Sequence, residues 1–301
     1  MNIDRRHPKR VVAFTLVEVL VAEAIFLVLL LLVMSLIFGA LQTTTAQKKR
    51  MDELGDARQS LDRFSLDWSN RVRRTDVLAS FSRPPATANN AANAQISFFS
   101  QVQAYTGARH LSWITYAVTN VAQVNQGSQN VTTPALVRGI LGFNWSAADP
   151  SGSGNPLLTL PPTTPTATST FDPLANTVFR FDYCFLQQVT STPGTSPFTT
   201  NNPTDLANAA DPNVNLTSTN FVGVVIAVAS LDQQSRQLVN QAQLVTMGNS
   251  LAAITNGGTP QGQWVSALNN GTYATAVKAA GIPAPVANAV HVYQRILYVN
   301  D

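Results

Sequence analysis

The stretch VVAFTLVEVLVAEAIF, Val11–Phe26, decides how the chain is read. It opens an apolar run that continues as AIFLVLLLLVMSLIFGAL, Ala24–Leu41, eighteen residues without a charge. Taken from Phe14, the run is long enough to cross a bilayer as a helix. Yet it carries two carboxylates, Glu18 and Glu23, and an ionised carboxylate in hydrocarbon is expensive and is usually kept for a reason. A cleaved secretory signal has a shorter apolar core and ends in an A-x-A-like site; FGALQ is a poor version of one.

Working outward, the segment before the run is basic. Arg5, Arg6, Lys9 and Arg10 stand against Asp4 in the first 13 residues. The rest of the 301-residue chain carries 15 basic and 15 acidic residues, so the overall charge of +3 belongs to the leader. No basic nucleic-acid footprint remains, and no nucleic-acid partner is expected. From Pro84 onward there are six Lys or Arg, seven Asp and no Glu, leaving a polar, nearly uncharged surface rich in Thr, Asn, Ser and Gln. Cys184 is the single cysteine. It sits in the alternating run VFRFDYCFL and reads as a buried, inert thiol.

Past the apolar run, Met51, Leu54, Ala57, Leu61, Phe64, Trp68 and Val72 recur in steps of three and four. That period traces one face of a helix, with Asp52, Arg58, Asp62, Arg63, Asp67 and Arg71 turned mostly elsewhere. No proline occurs between Pro8 and Pro84. One continuous helix of about 65 residues, roughly 100 Å long, is therefore expected. Leu61, Phe64, Trp68 and Val72 form its packing face. SRPPATANNAANA then breaks the helix.

Beyond it, strand-like runs cover Ile96–Phe99, Leu111–Thr119, Leu136–Trp145, Thr177–Leu186 and Phe221–Ala229, with VHVYQRILYVN as a final strand. Helices are expected over SLDQQSRQLVNQAQLVTMGNSLAAI and over Trp264–Ala280, the second interrupted at Asn269-Asn270-Gly271. Two low-complexity stretches read as exposed loops suited to partner contacts, near Thr159–Thr170 and Thr190–Asn213. The expected fold class is α+β, a long N-terminal helix packed on an antiparallel β-sheet. The segments are 1–13 as a basic leader, 14–41 as an apolar helix able to span a membrane, 42–83 as its amphipathic continuation, and 84–301 as a β-rich globular domain.

No catalytic constellation is legible. His7, His110 and His291 are scattered, which argues against a zinc site. No G-x-S-x-G occurs. Asp149–Asn155, DPSGSGN, has one carboxylate, and Leu160 stands where a calcium loop needs Glu. Neither an enzyme nor a cofactor nor a metal is expected.

The order of basic leader, Ala13-Phe14, Glu18 and unbroken apolar helix resembles the prepilin-type cleavage and methylation segment of type IV pilins and type II secretion pseudopilins. The likeness covers about 30 residues and centres on AFTLVEVLVA. It implies cleavage by prepilin peptidase between Ala13 and Phe14, N-methylation of Phe14, and an intersubunit role for Glu18 as assembly carboxylate. The family prefers glycine before the cut, where this chain has Ala13. The helix GDARQSLDRFSLDWSNRVRRTDVL is similar to that of J-type minor pseudopilins and W-type minor pilins. The prepilin-like cassette proteins of Verrucomicrobia-type bacteria also join such a start to a long divergent body.

The resemblance implies a pilin-like fold and a structural subunit of a secretion pseudopilus or pilus-like filament. Its partners would be other pilin or pseudopilin subunits and inner-membrane lipid. Positive-inside counting is nearly a tie, because Lys48, Lys49 and Arg50 follow the span. The leader must nonetheless be cytoplasmic to meet the peptidase, which sends the globular domain to the periplasm. The rival from another class is an exported binding or enzymatic domain held by a simple signal anchor.

Overall fold

A computed structural model describes residues 15–73, 79–84, 91–104, 110–124, 130–142, 171–188, 198–201, 221–251, 254–255 and 257–298. Ala13, Phe14, the Asp149–Asn155 stretch and the Thr159–Thr170 loop lie outside them. So does Thr190–Asn213, apart from Phe198–Asn201. The chain divides into two compact units, Met1–Arg50 and Met51–Asp301. Among the described residues the first unit is helix alone, the start of α1 (Leu16–Ser69).

The second unit is α+β, with two antiparallel sheets in place of the single sheet expected. Sheet 1 has the order β1 (Ala79–Ser82), β2 (Gln95–Ser100), β3 (Ser112–Val124), β4 (Asn130–Gly142), β5 (Phe171–Ala175). Sheet 2 has the order β7 (Phe198–Asn201), β6 (Val178–Gln188), β8 (Phe221–Leu231), β9 (Val290–Tyr298). Each of the six runs read as strands from alternation is a strand. The three that escaped, β1, β5 and β7, are four or five residues long and lie at sheet edges. Short edge strands offer little template for unwanted pairing, and they carry too few alternations to be read from sequence.

The amphipathic half of α1 and the inner faces of both sheets enclose one core. It contains Ala57, Leu61, Phe64 and Trp68 from the helix. Ile96, Phe98, Ile114 and Tyr116 come from sheet 1, and Phe181, Tyr183, Phe185, Val224 and Ile226 from sheet 2. The opposite face of sheet 2 carries a second core, Phe179, Cys184, Val225 and Ala227. Four short helices contribute to it, α3 (Gln241–Ser250), α4 (Pro260–Asn269), α5 (Thr272–Ala279) and α6 (Ala284–Ala287), and the five-residue α2 (Gln233–Gln237) precedes them. Sheet 2 is thus covered on both faces, which explains the nearly continuous burial of VFRFDYCFL along β6.

Capping chemistry divides what reads as longer helices. The Asp232 side chain accepts from the backbone N–H groups of Gln234 and Ser235 to start α2. Asn240 and Gln243 then exchange side-chain-to-backbone bonds, a capping box that begins α3 afresh. Gly271, at φ 79°, turns the chain between α4 and α5 through a left-handed conformation. Gly223 is required for a different reason. A Cβ there would lie 2.3 Å from the Leu297 carbonyl oxygen, so β8 and β9 approach closely only because position 223 has no side chain.

The long helix ends earlier than its period suggests. α1 stops at Ser69, and the 42–83 continuation contains strand β1. The chain past Ser69 bonds to sheet 1 instead: Val72 N–H donates to the Phe99 carbonyl at 2.8 Å, and Gln101 N–H to the Asn70 carbonyl at 2.8 Å.

Candidate assembly helix

α1 changes character along its length. From Leu16 to Leu41 every large apolar side chain is exposed, from Leu30 at 42 % to Leu16 at 76 %. This part of the chain is long and apolar enough to cross a membrane. From Ala57 to Trp68 the apolar residues at the expected spacing are buried: Ala57, Leu61, Phe64 and Trp68. The expected stripe is too long at both ends. Met51 and Leu54 are exposed, and Val72, beyond the helix, sits beside Phe99, Trp113 and Leu111 on the outer side of sheet 1. The stripe fails there because the backbone that would have carried its period no longer turns as a helix.

The buried stripe is aromatic at its centre. The Phe64 ring lies 4.6 Å from Tyr116 and 5.9 Å from Phe98, and Trp68 meets Phe98 edge-on at 5.2 Å. Edge-to-face contacts at such spacings add to the stabilisation from burial.

Four polar residues on this half of α1 or just past its end were not expected to be buried. Asp67 is fully buried. Its Oδ2 accepts from the Tyr116 hydroxyl at 2.5 Å and from Arg138 Nε at 2.5 Å, and its Oδ1 from Arg138 Nη2 at 3.2 Å. Burial opposes the Arg138 charge, but the bond to Asp67 and its negative charge outweigh that and hold the guanidinium above its ordinary pKa. Burial, with the Asp67 charge, pushes the Tyr116 hydroxyl far up, so it remains a donor. The Arg71 guanidinium sits over the Trp68 ring at 4.3 Å, and burial brings its pKa down to about 10.

Glu53 is the third. Its Oε1 accepts from the Ser230 hydroxyl at 2.5 Å, and its Oε2 stands 3.1 Å from Nδ1 of His291. Ser60 is the fourth, turned back onto the Ala57 carbonyl at 2.7 Å. Glu53, Asp67 and Arg71 each stand one position from a residue of the expected stripe, Leu54, Trp68 and Val72, so the apolar pattern says only that they flank it. The partners of Glu53 and Asp67 lie far along the chain, which is why sequence reading missed them, whereas Arg71 rests on the nearby Trp68.

A second buried ionic group sits in sheet 2. Arg83 Nε donates to Asp182 Oδ1 at 3.0 Å and Arg180 Nη2 to Asp182 Oδ2 at 3.3 Å. Burial pushes the Cys184 thiol up to about 12, with the Asp182 charge adding to it, so the thiol stays protonated at neutral pH. Among the described residues no group of three or more His, Cys, Asp or Glu could hold a metal ion. An open groove of about 460 Å³ runs beside α1, lined by Leu54, Arg58, Asp62, Tyr293 and Arg295 among others. Asp62, one of the lining residues, is paired with Arg295 and lies 3.8 Å from Arg58.

At the start of α1, Thr15 and Glu18 form a capping box. The Thr15 N–H donates to Glu18 Oε2 at 2.9 Å, and the Glu18 N–H donates to the Thr15 hydroxyl oxygen at 3.3 Å. The Thr15 hydroxyl also donates to Glu18 Oε2 at 3.0 Å. Glu18 thus has a local structural task that the T-x-x-E spacing carried and that was not read from it.

No protein-family model, curated protein or solved structure matches this chain.

Proposed function

We propose that this chain is a pilin-like structural subunit of the minor pseudopilin kind. Prepilin peptidase cuts it between Ala13 and Phe14 and methylates the new amine of Phe14. The chain then assembles through Leu16–Leu41 with sibling subunits into a type II secretion pseudopilus or a type IV pilus-like filament. Before assembly it sits in the inner membrane as a single span, with the N-terminus cytoplasmic and the β-rich domain periplasmic.

The observation that carries this reading is the contrast within α1. Its large apolar side chains from Leu16 to Leu41 are exposed among the described residues, whereas Ala57, Leu61, Phe64 and Trp68 are buried in the core. A contiguous exposed apolar surface of this length requires lipid or other apolar helices. The AFTLVEVLVA pattern and the basic leader supply the specific identity of the segment. Mass spectrometry of the membrane-extracted protein tests it. A methylated Phe14 N-terminus is expected; an intact Met1, or a cut near Ala40, overturns it.

A second reading, an exported binding domain on a signal anchor, draws on the groove at Asp62 and is consistent with the Thr15–Glu18 cap. A capping box starts a helix in any protein, and an exported binding domain on a signal anchor would use one equally well. That reading requires a single chain per complex in the membrane, where the first requires contact between copies or siblings.

A further inference from the structure

We infer that Glu53 and His291 form a proton-dependent clasp, which fastens the first packed turn of α1 to strand β9 in mildly acidic solution and loosens as the pH rises.

Strand β9 runs alongside α1 in the same direction. His291, Tyr293 and Arg295 alternate onto one face of the strand, and the two ends of that row meet α1 at Glu53 and at Asp62. Nine residues of helix and four of strand both span about 13 Å, so the two pairs keep step. They differ in kind. Arg295 stays charged at any physiological pH, which makes its pair with Asp62 permanent. His291 is charged only once its second ring nitrogen has bound a proton, which happens near neutrality or below.

Glu53 is the reason that proton is held. Its side chain is 1 % exposed. Oε1 accepts from the Ser230 hydroxyl, whereas Oε2 has no hydrogen-bond partner among the described residues. Nδ1 of His291 stands 3.1 Å from that oxygen. A buried carboxylate oxygen without a donor is costly, and attraction to an imidazolium offsets the cost. The imidazole is itself 36 % exposed, so solvent can deliver the proton.

The surroundings favour the charged imidazole as well. Asp52 and Asp56 flank Glu53 on α1, and Asp56 feels the charges of both neighbours. Arg295 is engaged by Asp62, and Arg50, one turn before Glu53, is exposed. Ser230, opposite His291 on β8, is uncharged, and Asp232 just beyond it caps α2. The Tyr293 ring stacks beside the imidazole at 6.5 Å. The folded chain therefore binds the His291 proton more tightly than the unfolded chain does. Stability from the clasp is full below the unfolded histidine value of about 6.5 and is lost as pH rises through the higher folded one. Glu53 is the first buried residue of α1 among the described ones, and Ala57 is the next. The proton thus decides whether the sheet grips α1 from Glu53 or from Ala57, about one helical turn.

A double-mutant cycle on the detergent-solubilised full chain tests this, with wild type, Glu53→Gln, His291→Gln and the double variant unfolded by denaturant at about pH 5.5 and about pH 8.5. Asp56 is present in all four, so its own titration cancels. The coupling between the two positions is expected to shift the folding equilibrium about tenfold at the lower pH and less than about twofold at the higher. A coupling that is absent at both, or as large at pH 8.5 as at pH 5.5, overturns the clasp. If Glu53→Gln does not fold, amide exchange over Glu53–Ala57 in wild type and His291→Gln decides, with rates corrected for intrinsic pH dependence. Protection about tenfold greater in wild type at pH 5.5, and equal at pH 8.5, is expected; equal protection at pH 5.5 overturns the inference.

Discussion

Tyr116, in the middle of sheet 1, donates its hydroxyl to the carboxylate of Asp67, in the last turns of α1, at 2.5 Å. Arg138, on the neighbouring strand β4, reaches the same carboxylate with two nitrogens. The helix is therefore held to the sheet by a buried ionic contact as well as by its aromatic stripe. Removing one partner from such a contact strands the other charge without water.

Asp67→Ala should accordingly destabilise the domain by about 3–5 kcal/mol, because it leaves Arg138 buried and unpaired. Tyr116→Phe removes one hydrogen bond and leaves the ion pair, so its cost should be about 2 kcal/mol or less. Denaturant unfolding of the detergent-solubilised chain measures both. Equal losses would mean that Asp67 acts only through the tyrosine.

The aromatic stripe predicts a sharp contrast between near neighbours on α1. Trp68 is 1 % exposed and Leu66 is 54 % exposed. Trp68→Ala should cost about 3–5 kcal/mol through the cavity it leaves, and Leu66→Ala almost nothing. Thermal midpoints of the two variants decide it. A comparable loss at Leu66 would place a second packed surface on the outer side of the helix.

Asp56 predicts a pH dependence. Burial holds its carboxyl above the ordinary value; the Thr177 hydroxyl works against this, and the charges of Asp52 and Glu53 add to it. A raised native value means that the folded chain binds this proton more tightly than the unfolded one. The contribution is fully present below the unfolded value and is lost as pH rises through the folded one. Asp56→Asn should therefore raise the thermal midpoint at about pH 7 and leave it unchanged at about pH 3. An equal shift at both would remove the titration of Asp56 as the cause.

Glu18 distinguishes a cap from an assembly charge. Glutamine serves a capping box as well as glutamate does, but it carries no charge. If assembly draws on the charge, Glu18→Gln should leave the chain inserted and processed yet abolish crosslinks between copies. If Glu18 only starts the helix, Glu18→Gln should behave as wild type and Glu18→Val should fray the first turn. Crosslinking and terminal mass analysis of the two variants, side by side, give the answer.

Six strands were legible because alternation over many residues is a strong signal, and sheet 2 stayed legible even where burial on both faces blurs that alternation. The α2–α3 division was written in the sequence as Asn240-x-x-Gln243, a local code that the apolar period overrode in reading. The T-x-x-E of Thr15 and Glu18 was legible in the same way and was passed over.

The sequence by itself determined the features whose causes are local. The apolar run from Leu16 to Leu41, its cap, the spacing of Leu61, Phe64 and Trp68, and the alternation of the long strands all lie within a few turns or residues of one another. Tertiary structure decided where α1 stops, since Val72 and Asn70 bond to the ends of β2 instead of continuing the helix. It also decided which flanking charges are buried, and against what. Glu53 meets Ser230 across 177 residues, Asp67 meets Arg138 across 71, and Arg83 meets Asp182 across 99. Helical periodicity tells which side of a helix faces the core. It carries no information about which distant strand brings the answering charge to that side, because that depends on sheet register and on close approaches such as Gly223 to Leu297.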